Sequence, residues 1–140
     1  MLLPVLGICI GASLGALARW GLALWLNVGA PGSPMLLPWG TLAANLVGGF
    51  LIGVCVAVFQ MLPQLDPIWR LTLVTGFLGG LTTFSSFSAE VVAMLLEQRF
   101  ALALGTALLH VAGSLLMTWA GIRSASWLGP QWWPQLARTL

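Results

Sequence analysis

The chain has 140 residues, of which 59% are hydrophobic and only 6% are charged. Soluble domains carry about 25% charged residues because their surface faces water, so this composition excludes a soluble domain and indicates a surface that faces lipid. Five arginines and no lysine stand against three acidic residues, which gives a net charge of +2. The arginines are scattered near the ends of apolar segments, a pattern that excludes a nucleic-acid-binding surface and is typical of membrane anchoring.

Four segments have the ~20 mostly apolar residues that a helix needs to cross a hydrocarbon core of ~30 Å. They are predicted at Leu3–Leu26, Trp39–Phe59, Ile68–Leu96 and Ala101–Ile122. The connections are predicted as loops at Asn27–Pro38 and Met61–Pro67, from their Gly and Pro content, and as a tight hairpin at Glu97–Arg99. The first segment lacks the basic flank of a signal peptide and is expected to be retained.

The sequence therefore predicts an all-α membrane protein in which residues 1–140 form a single four-helix transmembrane domain. The last part, residues 124–140, is rich in tryptophan. Indole rings favour the headgroup zone of a bilayer, so this tail is expected to lie along the membrane interface.

Small or polar residues recur at every fourth position on the first two predicted helices, which places them on one face of each helix. The rows are Gly7, Gly11, Gly15 and Arg19 on the first helix, and Thr41, Asn45, Gly49 and Gly53 on the second. Such rows let helix backbones approach closely in lipid, so the glycines predict helix–helix contacts. Cys9 and Cys55 lie inside apolar segments and are interpreted as packing residues, not as disulfide or metal ligands.

Polar side chains form a stripe on the fourth predicted helix. Its members are Thr106, His110, Ser114 and Thr118. Buried polar groups are costly in a membrane unless they find partners or line a pathway, so the stripe indicates a face that contacts water or ions. Asn45 adds an amide with two donors that its own helix does not satisfy. Two interpretations of Asn45 stay open, an interhelical hydrogen bond or a donor aimed at an anion.

The third predicted helix contains an interruption within Gly76–Glu90. Adjacent glycines followed by Thr82 and Thr83 are poor helix formers, which predicts a helix that is broken at mid-membrane depth. Unwound backbone at that depth must be buried in protein or line a cavity, where its carbonyl groups can bind a cation. Phe84 and Phe87 follow three residues apart, and the partly positive edges of their rings can face an anion.

The arginines near the span ends are almost evenly divided between the two sides of the membrane. With four spans, Arg70, Arg123 and Arg138 fall on one side and Arg19 and Arg99 on the other. Because positive charge near the span ends sets orientation, this chain has little preference. The sequence favours the hypothesis that it inserts both ways round and that two opposite copies pair.

Three blocks of the sequence, Gly11–Arg19, Trp39–Gly49 and Gly76–Glu90, closely resemble the fluoride channels called Fluc or CrcB. The resemblance implies an antiparallel homodimer of dual-topology subunits in the inner membrane of a bacterium. It further implies two parallel fluoride pores, passive export of fluoride and hence fluoride resistance, and a structural sodium ion at the centre of the dimer.

The resemblance also assigns roles to residues, each by its place in a block. Gly79 and Thr82 are expected to bind the sodium ion through their backbone carbonyl oxygens. The expected pore residues are the phenylalanines Phe84 and Phe87, the amide donor Asn45 with its polar neighbour Thr41, the vestibule arginine Arg19, the pore-end acid Glu90 and the hydroxyl of Ser114. His110 departs from the small hydroxyl residue that is usual there, so it is expected in the pore and predicts a pH-sensitive conductance.

Three alternatives follow from the same composition. A small multidrug-type exporter with proton coupling also has this size and four spans, but it needs a carboxylate inside the membrane, for which Glu90 is the one candidate. An intramembrane enzyme is not supported, because His110 is the only histidine, no acidic residue lies near it in the sequence, and no HExxH motif occurs. A purely structural subunit would conduct no ion.

Overall fold

The computed structural model describes residues 2–27 and 37–136, and this part of the chain contains helices and no β-strand. The elements are α1 (Leu2–Leu26), α2 (Trp39–Met61), α3 (Pro67–Arg70), a π-helix (Leu71–Leu78), α4 (Gly79–Leu81), α5 (Phe84–Leu96) and α6 (Phe100–Leu136). By length and composition, four helical stretches could cross a membrane: Leu2–Leu26, Trp39–Met61, Pro67–Leu96 and Phe100–Gly129. The prediction of an all-α protein with four such helices is confirmed.

The fourth helix is longer than predicted. It was expected to end at Ile122, but α6 continues to Leu136. The polar residue Ser124 does not end the helix, because its hydroxyl donates to the Ala120 carbonyl within the helix (2.7 Å). At 1.5 Å per residue, α6 is about 55 Å long, which exceeds the ~30 Å hydrocarbon core. Most of the loop predicted at Asn27–Pro38, namely residues 28–36, and the last four residues, Arg138 included, lie outside the described residues.

The rows of glycines lie where two pairs of helices touch. A Cβ atom at Gly11 or Gly15 of α1 would overlap the backbone of the π-helix, and one at Gly53 of α2 would overlap the Thr118 carbonyl of α6. The backbones are therefore in direct contact, as the small-residue rows predict. The core between them is apolar and is centred on Ala44, Leu78 and Leu81.

The turns follow their local sequence. Asp66 caps α3 by accepting from the Ile68 N–H (2.9 Å), and Pro67 occupies the first turn, where its missing N–H costs nothing. Between α5 and α6 the predicted hairpin is confirmed, with Gln98 in the left-handed region at φ 59°. The result is an antiparallel α5–α6 pair that brings the polar stripe of α6 beside the phenylalanines of α5.

Candidate functional site

Two threonines separate α4 from α5. Thr82 (φ −80°, ψ 155°) and Thr83 (φ −150°, ψ 117°) both have extended backbones. The hydroxyl of Thr83 accepts from the Ser86 N–H (3.1 Å), so Thr83 is the N-cap of α5. A β-branched residue that caps the next helix is more favourable in this extended conformation than inside a helix, which accounts locally for the interruption.

The side chain of Asn45 on α2 pairs with the backbone of Thr83. Its Oδ1 accepts from the Thr83 N–H (2.8 Å), and its Nδ2 donates to the Thr83 carbonyl (3.0 Å). The second Nδ2 hydrogen points to Nδ1 of His110 on α6 (3.1 Å). The hydrogen-bonding groups of Asn45 are thus engaged with α6 and with the segment between α4 and α5, in line with the interhelical interpretation of this residue.

The Asn45 pairing and the Thr83 cap together withdraw helical partners from two carbonyl groups. In a continuous helix the Thr83 N–H would bind the Gly79 carbonyl, and the Ser86 N–H would bind the Thr82 carbonyl. Here these donors bind Asn45 and the Thr83 hydroxyl instead. The carbonyls of Gly79 and Thr82 are therefore released from the i→i−4 pattern, and Gly79 is exposed on the surface of the chain.

Arg19 of α1 lies beside the same segment. Its Nε donates to the Gly80 carbonyl (3.2 Å) in a partly buried position. A cation near the C-terminal end of a helical turn is favourable, because the last carbonyls there have no intrahelical donors. Arg19 therefore holds α4 against α1, a contact that its expected place at an aqueous vestibule did not include.

The two phenylalanines and His110 form an aromatic cluster. Phe84 and Phe87 are in edge-to-face contact, with ring centroids 5.5 Å apart. Phe87 also stacks on His110 with centroids 4.6 Å apart. Phe87 and His110 are 8% and 4% exposed, whereas Phe84 is 77% exposed on the chain surface. The cluster therefore runs from the protein interior at His110 to an open face at Phe84.

Glu90 lies one turn beyond Phe87 and contacts α2. The Thr41 hydroxyl donates to Glu90 Oε1 (2.6 Å), while the buried Glu90 Oε2 has no partner among the described residues. Thr41 and Asn45 are one turn apart on α2. The Glu90 carboxyl group, which Thr41 binds, and the Asn45 amide therefore lie about one helical turn apart along the same polar face.

The polar stripe of α6 is only partly available to a ligand. Thr106 is 1% exposed, and its hydroxyl lies 3.5 Å from the Met94 sulfur. The Thr118 hydroxyl donates to the Ser114 carbonyl of its own helix (2.9 Å). His110, Ser114 and Thr118 line the groove described next, whereas Thr106 does not, and the hydroxyl hydrogen of Thr118 is already used within its helix.

A groove of about 460 Å³ brings most of these residues together. Its lining includes Asn45, Gly79, Thr82, Phe84, Phe87, His110 and Ser114. Of the predicted site residues, Thr41, Arg19 and Glu90 do not line it. No residue that lines it is an aspartate, glutamate, lysine or arginine, so the groove offers amide, hydroxyl, imidazole and aromatic groups without a permanent charge.

Thr83 is central to the site, although sequence reasoning did not single it out as a functional residue. Its backbone binds Asn45, and its hydroxyl caps α5. The sequence did contain a signal for the capping role of Thr83, since a threonine just before a helical segment is a typical N-cap. The pairing with Asn45 had no signal, because it depends on how α2 packs against the interruption.

The comparisons with known proteins agree on one family. The family described as "CrcB-like protein, Camphor Resistance (CrcB)" matches residues 6–122. A protein of Albidiferax ferrireducens named fluoride-specific ion channel FluC is 70% identical over 128 residues, which cover 91% of this chain and 95% of that protein. Proteins with the same name from Variovorax paradoxus and Paracidovorax citrulli are 69% and 61% identical, over 89% and 91% of this chain and 95% and 97% of their own lengths. The chain is a multi-pass membrane protein and belongs to the CrcB-like family.

Proposed function

We propose that this chain is a fluoride-selective ion channel that gives passive fluoride export and hence fluoride resistance. Its family consists of ion channels and not of enzymes, and relatives that share 61–70% of their residues with it are named fluoride-specific ion channels. The expected location is the inner membrane of a bacterium. The observation that carries the proposal is the uncharged polar groove along α2, α5 and α6.

The chemistry of the groove suits a small anion. Fluoride holds its water tightly, so a selective path must replace that water with hydrogen-bond donors and positive ring edges. His110 and Ser114 are polar groups on the groove, and Phe84 and Phe87 line it beside them, in edge-to-face contact with each other. Because no fixed cation lies in the groove, each contact is weak enough for the ion to leave again, as conduction requires.

The proposed channel includes a structural sodium ion bound by the carbonyl oxygens of Gly79 and Thr82. Hard cations take oxygen ligands, and the loss of helical partners at these two carbonyls supports this assignment. When bound, the ion would offset partial negative charge on the carbonyl groups. The test is to prepare the protein without sodium and to measure its thermal stability and its fluoride flux on adding sodium back.

The proposed assembly is an antiparallel homodimer with two pores, in which the third helix is broken at mid-membrane depth. The near-even arginine distribution supports dual insertion. The large exposure of Phe84 and of Gly79 supports a second copy over this face. Cysteine-accessibility labelling at each terminus in intact cells is the test, and labelling of a given terminus on one membrane side alone would contradict dual topology.

Halide release from liposomes tests the proposed fluoride conduction directly. Purified protein is reconstituted into liposomes loaded with either potassium fluoride or potassium chloride, and release is read with ion-selective electrodes. We expect rapid fluoride release and retention of chloride. Equal release of the two halides, or release of neither, would contradict the proposed function. Protein-free liposomes give the leak through lipid.

A further inference from the structure

The orientation of the Asn45 amide is fixed by the backbone of Thr83. Oδ1 accepts from an N–H (2.8 Å), while Nδ2 donates to a C=O (3.0 Å). If the amide were rotated by 180°, two donors would face each other and two acceptors would face each other. The nitrogen of Asn45 therefore faces His110, and its remaining hydrogen is available only in that direction.

This orientation determines the tautomer of His110. An amide nitrogen donates and does not accept, so the 3.1 Å contact between Asn45 Nδ2 and His110 Nδ1 requires a lone pair on Nδ1. A neutral imidazole with a lone pair on Nδ1 carries its hydrogen on Nε2. The stack against Phe87 (4.6 Å, 26°) also restricts rotation of the His110 ring. The contacts with Asn45 and with Phe87 therefore both fix the direction of the Nε2–H bond.

The Nε2–H of His110 is a buried donor without a partner in the described part of the chain. The residue is only 4% exposed and it lines the groove. Buried donors in proteins are almost always satisfied, and an unpaired one is the group that a ligand would bind. Both Nδ2 hydrogens of Asn45, in contrast, are already engaged, one with the Thr83 carbonyl and one with Nδ1 of His110.

We infer that His110, held as the Nε2–H tautomer by Asn45, is the terminal hydrogen-bond donor to the anion, and that Asn45 is a positioning residue which acts through it. The inference rests on the proposed anion conduction and specifies which atom meets the ion. The ligand is a small, strong hydrogen-bond acceptor. Fluoride accepts such a bond far better than chloride, so a single fixed N–H contributes to discrimination between them.

A spectroscopic experiment reads the tautomer directly, because His110 is the only histidine of the chain. The full chain is labelled with ¹⁵N-histidine, purified without a histidine tag and placed in lipid nanodiscs at alkaline pH. We expect a protonated Nε2 and an unprotonated Nδ1, with an Nε2 resonance that moves on adding sodium fluoride but not sodium chloride. A protonated Nδ1, or an Nε2 resonance that responds equally to the two salts, would overturn the inference.

Two substitutions separate the roles of the two ring nitrogens in the liposome assay. His110→Asn keeps an acceptor near the position of Nδ1 but ends before Nε2, whereas His110→Gln places an amide N–H at about the distance of Nε2. We expect fluoride flux to fall about tenfold or more in H110N, as for a lost hydrogen bond to a charged group, and H110Q to recover most of that loss. Equal flux in the two variants would overturn the inference.

Three controls distinguish a failure of this inference from a failure of the proposed function and from misfolding of the variants. Leu108→Ala changes an exposed residue on the opposite side of α6 and is expected to conduct like the native chain. Should the native chain carry no fluoride, the proposed function fails while the tautomer measurement still tests the donor geometry. If both His110 variants misfold in gel filtration, the nuclear magnetic resonance titration of the native chain decides the inference.

Discussion

Asn45 and Thr83 are joined by a pair of hydrogen bonds, in which the Asn45 amide accepts from the Thr83 N–H at 2.8 Å and donates to the Thr83 carbonyl at 3.0 Å. This pairing satisfies backbone groups that have left the helical pattern, as buried backbone requires. The same pairing releases the carbonyl of Gly79 and orients His110. One amide thereby connects the interruption in the chain, the candidate cation ligands and the candidate anion donor.

Asn45→Asp will disrupt this arrangement while changing side-chain size very little. The carboxylate keeps an acceptor for the Thr83 N–H but places an oxygen against the Thr83 carbonyl. Leaving a buried group unsatisfied costs about 1–3 kcal/mol, so we expect a lower melting temperature and a fluoride flux reduced at least about tenfold. Flux is measured in liposomes and melting by scanning fluorimetry in detergent.

Gln60→Glu is the matched control for Asn45→Asp, since it makes the same amide-to-carboxyl change on an exposed residue near the end of α2. This variant is expected to conduct and melt like the native chain. Similar losses in the two variants would mean that added negative charge, and not the Thr83 pairing, explains the effect at Asn45.

Thr83→Ala will remove the N-cap of α5 without removing the backbone groups that bind Asn45. The cap is the bond from the Ser86 N–H to the Thr83 hydroxyl (3.1 Å), and its loss costs about 1 kcal/mol. We expect a lower melting temperature for T83A and a near-native one for T83S, which keeps the hydroxyl. A T83S variant as unstable as T83A would contradict the capping role.

Gly15→Ala will force α1 away from the π-helix, because the added methyl group would overlap the Phe77 carbonyl. Overpacking of this kind costs about 1–3 kcal/mol or more. Gly21→Ala on the same helix meets nothing within 4 Å and should be neutral or stabilise the helix by about 0.5–1 kcal/mol. Denaturant unfolding in detergent compares them, and equal stabilities would show that close α1 packing is unimportant.

Acidification will reduce fluoride flux through the native chain. A protonated imidazole donates from both nitrogens, so its Nδ1–H would face the fixed Asn45 N–H and break that contact, while its positive charge would slow the exit of the anion. On the elements that contact His110, α2 carries no charged residue and only the thiol of Cys55, and α5 carries Glu90.

His110→Gln separates the histidine from these other groups, because it lacks a titratable ring and leaves Glu90 and Cys55 in place. The expected result is a flux that declines with falling pH in the native chain and stays nearly constant in H110Q. Protein-free liposomes at each pH account for leakage of hydrofluoric acid. A parallel decline in both proteins would assign the pH dependence to another group.

Composition and periodicity were enough to predict the four helices, because apolar length and small-residue spacing are local properties of the sequence. The glycine rows likewise predicted contacts such as that of Gly53 with Thr118. The predicted fourth span ended at Ile122, whereas α6 continues for 14 further residues to Leu136, because hydropathy marks the apolar part of a helix and not the point at which its backbone hydrogen bonds end.

The sequence indicated several residues that line the groove, but it did not predict the hydrogen bonds that join them. Asn45 and His110 were both singled out from polarity in apolar helices. That the Asn45 hydrogens go to Thr83 and His110 depends on three elements distant in sequence. Glu90 was assigned to a pore end from the resemblance, and its bond to Thr41 likewise arises only from packing.

The measurement that tests fluoride selectivity most directly is the reversal potential of the reconstituted protein in a planar bilayer. Chloride is kept equal on both sides, and fluoride is set at a tenfold gradient. A fluoride-selective pore gives a reversal potential near the fluoride equilibrium potential, ~59 mV in magnitude for a singly charged ion. A potential near zero, with current carried by chloride, would contradict the proposed channel.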